Sequence, residues 1–345
     1  VPGYVSTVVH PPVVEGLAIS LSVETPANTT CEPPHVAAVQ VRWRIGDGVA
    51  STFDLALDGD TWRGVFPAQP DGTVISYAVD VVYDDGYLQV FPNNPADPDY
   101  QLFTGGGVPI YCESFDADPA WEQSSNLGFE WQWGPPLVGH LGHDPDAAFT
   151  GDNVLGTDLT GDGQYRPNLV ASIATPEVDV SMYERVHLQY RRWLTVEDAT
   201  YDQATIRANG VDVWHNVSSQ TATLDHVDRE WRFHDLDLTP QVTAGRLAVE
   251  WGIATDFSKE LGGWTLDDVC LVGLVKIPRC GDGALDVGEE CDDGNTTAGD
   301  GCDDTCVDEV VAGGGGCCDA GDAAPGNLML VLVIGGLVSR RRRVR

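Results

Sequence analysis

Apolar and polar positions alternate with a period of two along most of the chain, and clusters of Gly, Pro, Asn and Asp interrupt them. Such a period turns successive side chains to opposite faces of a strand, and the interruptions supply turns. Residues 36–45, VAAVQVRWRI, end in alternation; STFDLAL follows, then a DGD turn and TWRGVF. After PAQPDG come TVISYAVDVVY, a DDG turn and YLQVF. Strands of this length and spacing predict an Ig-like β-sandwich over 1–107. The Pro- and Gly-rich stretch NPADPDYQLFTGGG is its exit. Further on, ERVHLQYRRWL, QATIRANG, VDVWHNV, EWRFHDLDL, RLAVEWGIAT and WTLDDVCLVGL predict an antiparallel jelly-roll sandwich over 108–275. In RLAVEWGIAT the alternation puts Leu247, Val249, Trp251 and Ile253 on one face. Almost nothing carries a helical period, so the expected fold class is all-β.

The end of the chain departs from this pattern. After a Gly-rich linker, Leu328–Val338 is purely apolar or glycine and is followed by Arg340, Arg341, Arg342, Arg343 and Arg345. The run is shorter than the roughly 20 residues of a spanning helix. Flanking arginines extend a short span by snorkelling and obey the positive-inside pattern. A C-terminal transmembrane helix within 309–345 is therefore expected, with the acidic remainder outside. The formal net charge is -34, from 53 acidic and 19 basic residues. A surface this negative disfavours nucleic acid and favours solubility and divalent cations. The chain opens without Met or a signal-peptide pattern, so a segment cut from a longer protein is expected, ahead of the alternative of a removed signal.

Nine cysteines add a further constraint. Cys280, Cys291, Cys302 and Cys306 lie in CGDGALDVGEECDDGNTTAGDGCDDTC, a module placed at 279–308. The spacing lacks the two close pairs of a zinc knuckle, and so small a segment needs staples to fold, so disulfides fit better. Three connectivities are open. Nine of the 27 residues from 280 to 306 are Asp or Glu and none is basic. Asp292, Asp293, Asn295 and Asp300, spread through Gly-rich turns, are candidate Ca²⁺ ligands beside the alternative of solvated acidic turns. Glu197 and Asp202, in TVEDATYD, form another acidic group beside a strand and are further candidate Ca²⁺ ligands, beside the alternative of exposed carboxylates or partners of buried backbone. Cys31 has no evident partner. His140 and His143, in GHLGHD, read as a surface turn.

Four resemblances follow from quoted residues. Trp43, Trp62, Pro67, GTVISYAVDVVYDDG and PADPDYQLFTG resemble the Ig or fibronectin type III-like domains of secreted bacterial proteins. CESFD, Trp121, WQWGPP, AFTGDNVLGTDLTGDGQY, WRFHDLDLT and GGWTLDDVCLVG resemble the MAM-type jelly roll of immune inhibitor A-like metallopeptidases. The frame CGDG…GEECDDGN…GDGC…C resembles the myxobacterial cysteine-rich repeat. Cys317 and Cys318, the apolar run and the arginines resemble the MYXO-CTERM sorting signal.

The jelly-roll resemblance implies adjacent terminal strands, and with them a Cys112–Cys270 disulfide. Closing a loop of roughly 158 residues, it would contribute about 4–5 kcal/mol. The same resemblance points to a structural Ca²⁺ at Glu113, Asp267 and Asp268. The sorting resemblance implies a processing protease acting near Cys317 and Cys318, and surface placement.

No HExxH, GxSxG or P-loop occurs. The expected function is a non-catalytic, membrane-anchored extracellular segment that binds a protein or glycan. The alternatives are the C-terminal accessory region of a secreted metallopeptidase and a carbohydrate-binding module.

Overall fold

The structure, a computed structural model, describes residues 7–9, 20–24, 35–59, 61–137, 143–275, 280, 281, 283, 285 and 289–309. Cys31, His140, Cys317, Cys318, the run Leu328–Val338 and Arg340, Arg341, Arg342, Arg343 and Arg345 lie outside them. No helix among the described residues is long and apolar enough to cross a membrane. The chain divides into two compact units, Val1–Lys276 and Ile277–Arg345. As the alternation predicts, the fold is all-β; a 3-10 turn at Thr239–Gln241 is the helical element among the described residues.

The first unit opens with β1 (Thr7–Val9), β2 (Ser20–Glu24), β3 (Val36–Ile45), β4 (Ser51–Asp54), β5 (Ala56–Asp58), β6 (Thr61–Val65), β7 (Val74–Tyr83), β8 (Leu88–Phe91) and β9 (Tyr100–Phe103). One sheet runs β1-β2-β6-β5 and the other β4-β3-β7-β8, with β9 also on β7. Alternation buries Val39 and Val41 of β3 and Ile75, Tyr77, Val79 and Val81 of β7. Phe66 fills the centre, edge-on to Trp43, Phe53 and Tyr77. The stretch STFDLAL is not one strand. The chain leaves one sheet after Asp54 and enters the other at Ala56. Leu55 makes the crossing, buried, its N–H donating to the Val39 carbonyl at 2.8 Å.

The second group comprises β10 (Val108–Glu113), β11 (Glu122–Ser125), β12 (Trp131–Gly134), β13 (Val154–Thr157), β14 (Val170–Ala174), β15 (Val178–Asp179), β16 (Arg185–Val196), β17 (Gln203–Ala208), β18 (Val211–His215), β19 (His226–Val227), β20 (Arg232–Asp237), β21 (Arg246–Leu247), β22 (Val249–Ala254) and β23 (Gly263–Leu274). A seven-stranded sheet runs β12-β13-β23-β16-β19, with β10 also on β23 and β20 also on β16. A five-stranded sheet runs β11-β14-β22-β17-β18, and β15 pairs β21. Leu247, Val249, Trp251 and Ile253 share the buried core, as their alternation predicts, with Tyr190, Trp264 and Leu271 from the facing sheet.

A buried polar seam joins the two sandwiches of this unit. Asp97, after β8, accepts from Arg192 of β16 at 2.5 Å. The Arg192 Nε donates to Asp228 at 2.9 Å, and Asn94 donates to the other Asp228 oxygen at 3.0 Å. The Arg232 guanidinium donates to the Asp99 carbonyl, and the Asp235 N–H donates to Gln101. Burial works to raise the pKa of Asp97 and of Asp228, but Arg192 and its neighbours pull both far below the usual carboxylate range. Burial and the same arginine hold His226 and His234 below the usual histidine range.

Candidate functional site

The first and last strands of the second sandwich, β10 and β23, pair antiparallel, and Cys112 stands opposite Cys270. The two are disulfide-bonded. What brings Cys270 to this place is a bulge. Strict alternation through WTLDDVCLVGL would put Trp264, Leu266, Asp268 and Cys270 on one face. In β16 only Tyr190 separates Gln189 and Arg191, whereas Asp268 and Val269 separate their partners Asp267 and Cys270. Asp268 takes φ 44°, and the parity resets. Trp264 and Leu266 before the bulge and Val269 and Leu271 after it all enter the core, and Cys270 meets Cys112.

The bulge also fixes the carboxylates expected to hold calcium there. Asp267, fully buried, accepts from the N–H of Phe149 at 2.8 Å and of Thr150 at 3.0 Å, and from that of Asp268 at 2.8 Å. Burial raises its pKa to about 6. Asp268 accepts from the Thr150 hydroxyl at 2.6 Å, and Glu113 from the Phe115 N–H at 3.1 Å. In the second unit the disulfides are Cys280–Cys306 and Cys291–Cys302, one of the three connectivities left open by the spacing. Asp292 accepts from the N–H groups of Gly281, Gly283 and Gly294, and Asp293 from that of Asn295. Asn295 accepts from the Thr297 N–H at 2.7 Å and donates to Asp300 at 3.1 Å. These side chains organise turns.

Four groups of His, Cys, Asp or Glu bring donor atoms within 4.8 Å of one another among the described residues. Two of them include disulfide-bonded sulfurs of the second unit. A third, Asp97, His226 and Asp228, already holds the Arg192 guanidinium. The fourth is Glu197, Asp202 and Asp256. Glu197 and Asp202 are legible in TVEDATYD; Asp256 comes from the β22–β23 connection.

A concave site of another kind opens at one edge of the second sandwich, where β11 borders one sheet and β12 the other. The cleft measures about 380 Å³, within the range of small-ligand sites. Trp121, Trp131, Trp133 and Phe129 line it, with Gln123 and Asp118 as its polar members. Trp121 is fixed from behind: it stacks on buried Trp251 at 5.7 Å and 11°, and its Nε1 donates to the Tyr111 hydroxyl at 2.7 Å. Trp133, 38% exposed, donates its Nε1 to the Phe115 carbonyl at 2.7 Å, and Phe129 is 83% exposed. Gln123 donates to the Trp131 carbonyl at 3.1 Å. The Gln123 Oε1 and the Trp131 Nε1 are shielded from solvent and have no hydrogen-bond partner. Trp131 is 2% exposed and Trp121 7%, so the open aromatic faces of the cleft are those of Trp133 and Phe129. Sequence reasoning took Trp121 and WQWGPP as family markers. The overlooked signal was four large aromatics among the 13 residues from 121 to 133, an edge segment that otherwise reads as polar.

The family described as Domain of unknown function (DUF4215) matches residues 261–307. Bacillopeptidase F of Bacillus subtilis (strain 168) is 24% identical over 241 residues. That match covers 68% of this chain and 16% of the relative's length. Among solved structures, a chain of the carbohydrate-binding modules of the β-sandwich super family has a TM-score of 0.29 at 13% identity, covering 78% of this chain and 96% of that one. The CBM22-1 xylan-binding domain of Paenibacillus barcinonensis Xyn10C has a TM-score of 0.29 at 13% identity, covering 50% of this chain and 98% of that one.

Proposed function

We propose that this chain is a non-catalytic binding segment of an extracellular protein, and that the cleft between β11 and β12 takes a neutral glycan. The observation that carries this reading is the exposed aromatic pair Trp133 and Phe129 on a cleft that is also lined by Asp118 and Gln123. Aromatic faces pack against the C–H faces of sugar rings, while an exposed carboxylate such as that of Asp118 accepts from hydroxyl groups. The cleft has no basic lining residue and the chain's net charge is -34, so an anionic ligand fits poorly. An extracellular setting suits the three disulfides.

A glycan array probed with the chain is the test. The expected result is binding to a defined set of neutral glycans, with Trp133→Ala and Phe129→Ala each weakening it about tenfold or more, or about 1.4 kcal/mol. No retained glycan, or unchanged binding by both variants, overturns the reading.

The match to Bacillopeptidase F supports a second reading, an accessory region of a secreted peptidase. A catalytic domain in the same reading frame is its test. Surface attachment belongs to the same proposal, with a processing protease acting near Cys317 and Cys318 and a span at Leu328–Val338. Recovery of the protein in the cytoplasmic fraction of its cells would sink it.

A further inference from the structure

At one end of the second sandwich three segments converge: residues 197–202 after β16, Asp225 before β19, and 255–260 between β22 and β23. Asp198 there is saturated. Its oxygens accept from the backbone of Thr200, Ser219 and Leu224 and from the hydroxyls of Thr200 and Ser219, all at 2.5–3.2 Å. Its neighbours differ. Asp202, fully buried, accepts from the Tyr165 hydroxyl on one oxygen and the Asp256 N–H on the other, each at 2.7 Å. Glu197 is 9% exposed, and its Oε2 is shielded from solvent without a hydrogen-bond partner. The Asp225 Oδ1 is shielded and unpartnered too.

The cation in reach, among the described residues, is Lys259. Its Nζ pairs with Asp225 and stands 3.8 Å from the Glu197 Oε1. Two carboxylates, Asp225 and Glu197, therefore share one ammonium. Buried carboxylates without counter-charge are costly. Burial accordingly raises the pKa of both Glu197 and Asp202.

We propose that Glu197, Asp202 and Asp256, whose oxygens lie within 4.8 Å of one another, form a calcium site. The donors are all carboxylate oxygens, with no thiol or imidazole among them, which selects a hard cation. Lys259, half-exposed and on a loop, stands in for part of the missing charge and swings to solvent when the ion binds. Asp256 also accepts from the Ser258 N–H at 2.7 Å and the Ser258 hydroxyl at 3.0 Å on one oxygen. What sets this group apart from Glu113, Asp267 and Asp268 is the shielded, unpartnered Glu197 Oε2. It does not depend on the glycan reading.

The test titrates the full chain with CaCl₂ by calorimetry and with TbCl₃ by sensitised luminescence. Affinity is expected at about 10⁻⁴–10⁻³ M, the range of extracellular modules. A tenfold excess of CaCl₂ over Kd should raise Tm by about 3 °C or more. Glu197→Gln and Asp256→Asn should each weaken binding at least tenfold without lowering the calcium-free Tm. Lys259→Met should tighten it. Glu113→Gln and Asp292→Asn should leave it unchanged. A wild-type chain that gives no heat and no Tm shift at about 10 mM CaCl₂ overturns the proposal. So does full affinity in Glu197→Gln, or loss of binding in Glu113→Gln alone.

Discussion

Asp144 shows how a single residue sets a pH response. It is buried, its Oδ2 has no hydrogen-bond partner, and burial followed by the charge of Asp158 raises its pKa to about 7. A folded-state pKa above the unfolded value means the folded form holds the proton more tightly. The stability this contributes is complete below the unfolded carboxylate value and is lost as pH rises from about 4 to about 7. Asp144→Asn keeps the group neutral. Its Tm advantage over the wild type should grow across that interval and stay flat above it. A pH-independent difference in thermal melts would refute the assignment. Nothing in GHLGHDPD marks Asp144 as different from Asp146 in the sequence; what separates them is burial.

At the scale of elements, β10 and β23 are the pair on which the second sandwich closes. The Cys112–Cys270 bond spans 158 residues of chain, so its removal relaxes a large constraint on the unfolded state. The double variant Cys112→Ser/Cys270→Ser should lose about 4–5 kcal/mol in denaturant titration. Reductant should lower the stability of the wild type further than that of the variant, and equal sensitivity would count against the role. The expectation came from the jelly-roll resemblance, which implies that the first and last strands lie side by side. The bulge at Asp268 did not, because alternation assumes an unbroken ladder and a bulge adds one residue to one strand only. For the same reason STFDLAL reads as one strand although Leu55 carries the chain from one sheet to the other.

The whole first unit depends on the seam at Arg192. This guanidinium is fully buried between Asp97 of one sandwich and Asp228 of the other. Arg192→Met leaves buried Asp228 and partly exposed Asp97 with only the more distant Arg232 guanidinium, at 3.6–3.7 Å, as counter-charge, and should cost about 3 kcal/mol. A denaturant midpoint unchanged from the wild type would show the seam to be incidental. Because Asp97 and Asp228 sit below their unfolded values, the stability they contribute is present above about pH 4 and is lost as pH falls further. The seam was not legible beforehand. Asp97 lies in a stretch that reads as an exit from the first sandwich, and Arg192 within a strand whose alternation places it without naming its partner.

The sequence by itself determined the all-β class, most strands and the buried face of Leu247, Val249, Trp251 and Ile253. Period-two alternation and turn residues act between near neighbours, so they survive without knowledge of the fold. Only the tertiary structure decided which far-apart groups meet. Asp256 joins Asp202 across 54 positions, and Trp131 and Gln123 face one cleft because the edges of two sheets adjoin. Sites of this kind are made by strand order and register, which no local pattern encodes.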